Sequence, residues 1–497
     1  SMNLSGLSSD VRSRFLMYLA RALNKLGKNS ETLKVCRRVL KEPENPHTPH
    51  AIYLMAKTYW NWGESGKAMK ALDKLFKRFS WHGVSAKGYY MAGRIKESEK
   101  DYAGAVNSWE KAVSSFPEAE EAQACLWHIG WRYYQDGDYA KAEKAFNRFL
   151  KKYPASHILP RILYWNARAM EKRGNDPSEL IKRLMTVYRY SYYAYLRTNE
   201  IFHKTEKVGG NPGSQKRLAE KVLARLNESA NETVKQPKLE GRRLWAHRGA
   251  QRWLELGFKE RAKPLIRDAA GDLKNGTSNT MWLMYQYYRA GFHDLVQSRA
   301  WRVQSDPKLT ENERRLLTWM MFPLARWSVV YGESRKNGVD PMAVLALIRQ
   351  ESKFNADIVS SADARGLMQI IPPTGKRISR AMNEKNFNPD FLFDPEVNIR
   401  MGTFYLAALL RKSGGELAPA LASYNAGSRA VDKWLKKYSY SAAEAEVFIE
   451  RIPYPETRGY VKKVLRNYGA YRKTYGQYLN GPEAGGAGKK ANAGRSN

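Results

Sequence analysis

One carboxylic acid in the C-terminal third of the chain stands where it could act as a buried general acid. Glu351 closes an apolar helical pattern that begins at Asp340, and the glycine-bearing segment Gly366–Ile370 follows it. The flanking Ile348 and Phe354 would keep water away from the carboxyl group. Because burial disfavours the charged form, the pKa of such a group rises, and it could donate a proton near neutral pH.

The alternative is that Glu351 only solvates the end of its helix. A negative charge at a helix C-terminus opposes the helix dipole, so stability gives a poor reason for a glutamate there. The pairs Asp340-Pro341 and Asp394-Pro395 have the residue types of helix starts, and we predict that both aspartates are N-caps.

Histidine and cysteine chemistry is excluded from the C-terminal region. All eight histidines lie at or before His293, and the two cysteines, Cys36 and Cys125, lie in the first half. The region therefore has no Ser-His or Cys-His pair and no histidine or thiolate metal site. The chain also lacks a phosphate-binding loop and a dinucleotide glycine fingerprint. Carboxylates, tyrosines and amides remain, which suits acid-assisted glycosidic cleavage.

Two further motifs follow Glu351 and the Gly366–Ile370 segment. They are Ala422–Gly427, which contains Tyr424-Asn425, and Ile452–Arg458. In this order the four segments resemble the catalytic domain of the soluble lytic transglycosylases, which cut bacterial peptidoglycan and have a goose-lysozyme-like fold. The resemblance covers roughly residues 322–475. One departure is Phe322-Pro323, where the family often has tyrosine before the proline.

The resemblance implies a role for each matching residue. Glu351 matches the catalytic acid, which protonates the oxygen between N-acetylmuramic acid and N-acetylglucosamine. The phenol of Tyr424 is expected to orient this glutamate, and Met368 to form an apolar wall. The predicted substrate-binding residues are Ser360, Ser361, Met368, Gln369, Tyr424, Asn425, Tyr454 and Glu456.

Several of these residues also have a purely structural interpretation. Ser360, Ser361 and Asn425 could be ordinary loop residues. Tyr424 could be a core tyrosine whose hydroxyl is hydrogen-bonded within the protein. Glu456 and Arg458 could form a structural ion pair. Gly366 and Gly427 are expected to serve backbone geometry, since glycine permits positive φ and close approach.

The mechanism implied by the family needs a single acid. The acetamido oxygen of the substrate attacks the anomeric carbon, and Glu351 acts first as acid and then as base, which closes a 1,6-anhydro ring. No metal or other cofactor is required. The alternatives are a hydrolytic muramidase and a catalytically inactive periplasmic scaffold, which would keep only the binding role of the helical repeats.

The net charge of +35 favours polyanionic partners. Peptidoglycan strands with their carboxylate-bearing peptides fit this charge, and other cell-wall enzymes are possible partners. We expect no nucleic-acid binding, because no motif of a known reader occurs. No apolar run is long enough for a transmembrane segment. The family resemblance implies the periplasm, although no leader opens this sequence.

The first half of the chain contains a repeat of 37 residues. Small residues recur at Ala56, Gly93 and Gly130, and the larger positions Leu72, Trp109 and Phe146 recur in the same step. The pattern resembles tetratricopeptide repeats, whose helix pairs stack into a superhelix. The stretches 15–26 and 31–40 are predicted to form a further, degenerate helix pair.

The fold class predicted from these patterns is mainly α, with no strand of any length. We predict a helical superhelix at 1–242, a helical linker domain at 243–321, a lysozyme-like catalytic domain at 322–478 and a disordered tail at 479–497. Loops are expected at 209–213 and 235–238, and turns at Gly257-Phe258 and Gly291-Phe292. Cys36 and Cys125 are expected to be free buried thiols.

Overall fold

The computed structural model describes residues 8–42, 45–198, 212–271, 276–384 and 386–479. Within these ranges the chain is helical, and its only β features are the isolated bridges Val359–Arg365 and Arg365–Ile370. The predicted mainly α fold class is therefore confirmed. The chain divides into two compact units, Ser1–Arg189 and Tyr190–Asn497.

The helices of the first unit follow one another with short connections. In the described residues they are α1 (Ser9–Lys25), α2 (Asn29–Val39), α3 (Thr48–Asn61), α4 (Ser65–Phe79), α5 (Val84–Ser98), α6 (Tyr102–Ser115), α7 (Glu120–Gln135), α8 (Tyr139–Lys152), α9 (Leu159–Lys172) and α10 (Ser178–Val187). The second helices of three successive pairs begin at Ser65, Tyr102 and Tyr139, 37 residues apart. The predicted period and the additional pair α1–α2 are both present.

Small residues of the repeat mark close helix contacts. A Cβ atom at Gly93 of α5 would lie 2.1 Å from the indole nitrogen of Trp109 on α6. A Cβ atom at Gly130 of α7 would lie 2.5 Å from the ring of Phe146 on α8. Each large side chain therefore occupies the space that its glycine leaves open.

Both cysteines of this unit are free and buried, as predicted. Burial raises the pKa of the Cys36 thiol to about 12 and that of the Cys125 thiol further still. Neither thiol is ionised near neutral pH, so both behave as small apolar core residues.

The second unit contains the remaining α-helices of the described residues. They are α11 (Tyr192–Arg197), α12 (Pro212–Thr233), α13 (Gly241–Glu255), α14 (Lys259–Ala270), α15 (Thr277–Arg289), α16 (His293–Gln304), α17 (Glu311–Met321), α18 (Trp327–Asn337), α19 (Pro341–Glu351), α20 (Pro372–Ala381), α21 (Pro395–Lys412), α22 (Leu417–Ala426), α23 (Ser428–Tyr438), α24 (Ala445–Arg451) and α25 (Pro455–Leu479).

Most predicted breaks in this unit are present. Residues 235–238 form a loop, and Gly257 and Gly291 adopt positive φ between consecutive helices. The predicted loop at 209–213 needs a correction, because α12 already begins at Pro212, which suits the first turn of a helix. Residues 209–211 and the predicted tail from 480 onward lie outside the described residues.

The predicted domain boundaries remain a prediction. The boundary between the two compact units, at Arg189 and Tyr190, lies earlier in the chain than the predicted end of the superhelix at 242. The predicted linker and catalytic regions both fall within the second unit.

Helices α19 and α25 form the centre of the C-terminal region. The buried side chains of α19 run from Pro341 to Arg349, on all sides of the helix. Asp340 caps its N-terminus by accepting a hydrogen bond from Met342 N, and its other oxygen accepts one from the Tyr468 hydroxyl at 2.6 Å. Asn467 donates to the Ala346 carbonyl. Tyr468 and Tyr460 of α25 donate to Asp340 and Glu351 at the two ends of α19, so the helices are antiparallel.

The Phe322-Pro323 segment is also tied to α25. The Tyr471 hydroxyl donates to the Pro323 carbonyl at 3.1 Å, and the Tyr475 hydroxyl donates to the Phe322 carbonyl at 2.6 Å. These bonds satisfy two buried carbonyl groups at the point where the sequence departs from the usual family pattern.

Candidate active site

Glu351 lies at the C-terminal end of α19, where the chain reverses. Ser352 follows the helix and its hydroxyl accepts a hydrogen bond from Phe354 N. Lys353 and Phe354 both adopt positive φ, a conformation that non-glycine residues rarely take. The helix therefore ends sharply, directly after Glu351.

The environment of Glu351 changes its acidity. The residue keeps partial exposure, but burial of its carboxyl group raises the pKa to about 7. A hydrogen bond from Tyr460 acts in the opposite direction, because it stabilises the carboxylate. The net result is an acid that is substantially protonated at neutral pH.

Tyr460 of α25 is the direct partner of this acid. Its hydroxyl donates to Glu351 Oε1 at 2.6 Å. Desolvation and the nearby Glu351 charge raise the pKa of Tyr460 well above its usual value, so the phenol stays protonated and remains a donor. Sequence reasoning missed this residue because it lies two positions beyond the last motif, on a helix with several buried tyrosines.

Tyr424 lies near Glu351 but forms its hydrogen bond elsewhere. Its hydroxyl donates to the Met368 carbonyl at 2.8 Å. Desolvation, followed by the Glu351 charge, raises the Tyr424 pKa well above its usual value. The orienting hydrogen bond that the resemblance assigned to Tyr424 is thus made by Tyr460 in this structure.

The segment 358–370 forms the loop beside the acid. Gly366 has φ of +73°, and a Cβ atom there would lie 2.1 Å from the Leu392 carbonyl oxygen. Gly427, at the end of the third motif, has φ of +81°. Both glycines therefore serve backbone geometry, as predicted.

Asn398 of α21 holds this loop in place. Its Oδ1 accepts from Met368 N at 2.7 Å, and its Nδ2 donates to the carbonyls of Arg365 and Leu392. The residue is fully buried. Its sequence position, four residues after the N-cap Asp394, gave no signal for this role.

The predicted substrate residues of the loop differ in exposure. Met368 is fully buried, with its thioether against Gly402. Gln369 is half-buried, and its Nε2 donates to the carbonyls of Ile358 and Gly366. Its side-chain oxygen takes no part in these two bonds. Ser360 and Ser361 are exposed.

Ser360 stabilises the turn that follows it. Its hydroxyl oxygen accepts hydrogen bonds from Ala362 N and Ala364 N. These bonds agree with the structural interpretation of Ser360. The side chain is still exposed and accessible to a ligand.

The last two motifs meet through a side-chain hydrogen bond. The Thr457 hydroxyl donates to Asn425 Oδ1 at 2.7 Å, which places Asn425 beside the start of α25. Tyr454 is 54% exposed and packs edge-on against Trp434, and Glu456 is exposed. The structure brings Met368 and Tyr424 close to the acid, while Ser361, Tyr454 and Glu456 present exposed side chains.

Three known protein families match parts of this chain. Residues 328–447 match the transglycosylase SLT domain family. Residues 49–78 match the tetratricopeptide repeat, and residues 82–195 match an outer membrane lipoprotein family.

Relatives named as murein transglycosylases match part of this chain. The soluble lytic murein transglycosylase of Salmonella typhimurium is 38% identical over 157 residues, which are 31% of this chain and 24% of that protein. A membrane-bound lytic murein transglycosylase C of Salmonella arizonae is 33% identical over 159 residues, 28% of this chain and 44% of that protein. The matched segment thus spans about a quarter of the length of the first relative.

A solved structure extends the similarity of fold. An inactive mutant of the lytic transglycosylase Slt from Pseudomonas aeruginosa aligns over 94% of this chain and 73% of its own, with a TM-score of 0.60 and 19% identity. The resemblance to soluble lytic transglycosylases expected from the four motifs is confirmed. Residues 328–447 are thus similar to the transglycosylase SLT domain family, and the same chain has tetratricopeptide-like helical repeats.

Proposed function

We propose that this protein is a lytic murein transglycosylase. It cleaves the bond between N-acetylmuramic acid and N-acetylglucosamine in peptidoglycan without water and leaves 1,6-anhydro ends. The observation that carries the proposal is Glu351, whose pKa of about 7 and tyrosine partner suit a proton donor at neutral pH.

In the first step Glu351 acts as the acid. Tyr460 occupies Oε1, so Oε2 is the oxygen that carries the proton toward the glycosidic oxygen. The bond between the anomeric carbon and that oxygen breaks, the leaving oxygen takes the proton, and the substrate acetamido oxygen bonds to the anomeric carbon. The exposed amide of Asn425 and the side-chain oxygen of Gln369 are suited to hold this acetamido group.

In the second step the same residue acts as the base. The sugar C6 hydroxyl attacks the anomeric carbon and displaces the acetamido oxygen, and its proton passes to the Glu351 carboxylate. The acid is thereby regenerated. A group with a pKa near the working pH can serve both steps, since neither protonation state is rare.

The surroundings of Glu351 favour attack by the substrate's acetamido oxygen over attack by a second carboxylate of the protein. A retaining glycosidase places another carboxylate about 5–5.5 Å from its acid. Among the described residues no neighbouring carboxylate contributes to the raised pKa of Glu351; burial is the cause. Substrate assistance supplies the missing nucleophile.

Two alternatives make different predictions. A hydrolytic muramidase would use the same acid with water as the nucleophile and release reducing ends. An inactive scaffold would bind through its helical repeats alone. The desolvated Glu351 and its short hydrogen bond favour an active site over the scaffold.

We place the protein in the periplasm, where peptidoglycan lies, and the net charge of +35 suits the anionic peptides of that polymer. The helical repeats remain candidates for contacts with other cell-wall enzymes. No helix of the described residues has the length and apolar character needed to cross a bilayer.

The test is digestion of purified peptidoglycan followed by mass spectrometry of the soluble fragments. Fragments one water lighter than reducing muropeptides would support the proposal, whereas reducing ends would identify a muramidase. Glu351→Gln should abolish release, while Glu396→Gln, an exposed glutamate of the same region, should not. Absence of any release by the wild type would favour the scaffold.

A further inference from the structure

A cavity of about 100 Å³ lies in the second unit, apart from the candidate active site. Helices α17, α19 and α25 contribute to its lining, through Thr318, Arg349 and Arg466 among others. Arg349 precedes Glu351 by two residues, and two residues turn a helix by about 200°. The cavity and the acid therefore lie on different sides of α19.

Two guanidinium groups converge at the cavity on one neutral atom. Arg349 Nη1 donates to Asn467 Oδ1 at 2.7 Å, and Arg466 Nη2 donates to the same oxygen at 3.3 Å. Arg349 also donates from Nε to the Met321 carbonyl and lies over the Phe322 ring, 4.3 Å from its centroid. Two like charges thus share one uncharged acceptor.

Neither arginine has a carboxylate partner among the described residues. Arg349 is buried with 9% exposure, and Arg466 is half-buried. Burial, together with the Arg466 charge, lowers the pKa of Arg349 to about 10, so the group remains charged at neutral pH. Buried charges are normally paired, because an uncompensated one costs free energy.

The rest of the lining increases the positive charge. Arg314 is a third arginine of the cavity, and none of the described residues that line it is an aspartate or glutamate. Arg314 donates hydrogen bonds to the backbone carbonyls of Asp306 and Pro307. Tyr190, Gln304 and Thr318 add polar groups to the same wall.

We propose that this cavity binds a small oxyanion, a carboxylate or phosphate group, between Arg349 and Arg466. Each guanidinium has five N–H donors in a planar fork, a geometry that matches such oxygens. Arg349 uses two hydrogen bonds and Arg466 one within the described protein, so donors remain for the anion. The volume has room for one such group.

The anion would join α19 to α25, because its two arginines belong to these helices. The site does not depend on the proposed transglycosylase activity, and the binding test below reads no enzymatic product. Its failure and the failure of the proposed function can therefore be told apart.

The experiment is isothermal titration calorimetry of the full chain with sodium phosphate and, separately, sodium acetate, at pH 7 and constant ionic strength set by sodium chloride. We expect saturable binding of one anion per chain. Arg466→Gln should weaken it at least tenfold. Lys463→Gln, an exposed residue of the same helix with the same change of charge, should leave it unchanged.

The two probes identify the source of the ligand. Binding of phosphate alone indicates a phosphate ligand, and binding of acetate alone a carboxylate. Thr318→Leu narrows the cavity without changing its charge and should also weaken binding; this variant decides the question if Arg466→Gln does not fold. No saturable binding of either probe, or equal affinity in Arg466→Gln and Lys463→Gln, would overturn the proposal.

Discussion

The Tyr460 hydroxyl donates a 2.6 Å hydrogen bond to Glu351 Oε1, across 109 residues of sequence. The two residues belong to α25 and α19, the antiparallel helices at the centre of the C-terminal region. A charge-assisted hydrogen bond of this kind fixes both the direction and the acidity of the carboxyl group.

Tyr460→Phe should therefore raise the pKa of Glu351 above about 7, since the lost hydrogen bond lowers that pKa in the wild type. We expect kcat to fall by about 10- to 100-fold, the cost of a hydrogen bond to a charged group. The pH dependence of muropeptide release should move to higher pH. Tyr440→Phe removes the hydrogen bond from Tyr440 to Glu416 in the same region. This control should change neither kcat nor the pH dependence of release.

The pH dependence of the wild type should reflect the protonated acid. Catalysis needs Glu351 to carry its proton at the start of the reaction, and its pKa is raised by burial to about 7. We expect kcat/KM to fall about tenfold for each pH unit above this value. Initial rates on soluble glycan fragments between pH 5 and 9 measure it; a flat profile through pH 8 would contradict the assignment.

Stability should depend on pH in the same range. The folded state binds the Glu351 proton more tightly than the unfolded chain, with pKa values of about 7 and 4.5. The contribution of this proton to the free energy of unfolding is fully present below about pH 4.5 and is lost as pH rises through about 7. Relative to the wild type, Glu351→Gln should thus be more stable at pH 8 than at pH 5, by about 2 kcal/mol after allowance for partial exposure. Differences in denaturant midpoint at the two pH values test this, and an unchanged difference would argue against the raised pKa.

Gly366→Ala should disrupt the loop beside the acid. A methyl group there would lie 2.1 Å from the Leu392 carbonyl oxygen, in a backbone with φ of +73°. We expect a destabilisation of about 2–4 kcal/mol and a loss of activity, because both strain and a clash with backbone must be relieved. Gly338→Ala shares the positive φ but meets no atom within 4 Å, so it should cost only about 1 kcal/mol. Equal effects of the two substitutions on melting temperature would contradict this account.

Local patterns predicted much of the molecule because their physical causes are local. Asp340 and Asp394 are N-caps as expected, with hydrogen bonds to Met342 N and to Glu396 N and Val397 N. The 37-residue period is visible in sequence because Gly93 must leave space for Trp109. Pro212 was misplaced in a loop, since proline suits a turn as well as the first turn of a helix.

Long-range partners could not be predicted in this way. Glu351 was identified from its motif, but nothing local selects Tyr460 from the tyrosines of α25, because the choice depends on the rotation of that helix against α19. Asn398 likewise acts through backbone groups 30 or more residues away in sequence, at Met368 and Arg365. Such contacts follow from packing, which a single sequence does not specify residue by residue.

The packing of α19 against α25 orients the Glu351 carboxyl group without help from the loop beside it. Glu351 and Tyr460 are joined within the core, where amide hydrogens exchange only when much of the region unfolds. The loop at 358–370 is held instead by Asn398 and by Tyr424, and neither bonds the acid. The direction of the Glu351 carboxyl group is therefore set by the helix pair, and a rearrangement of the loop would leave its hydrogen bond from Tyr460 in place.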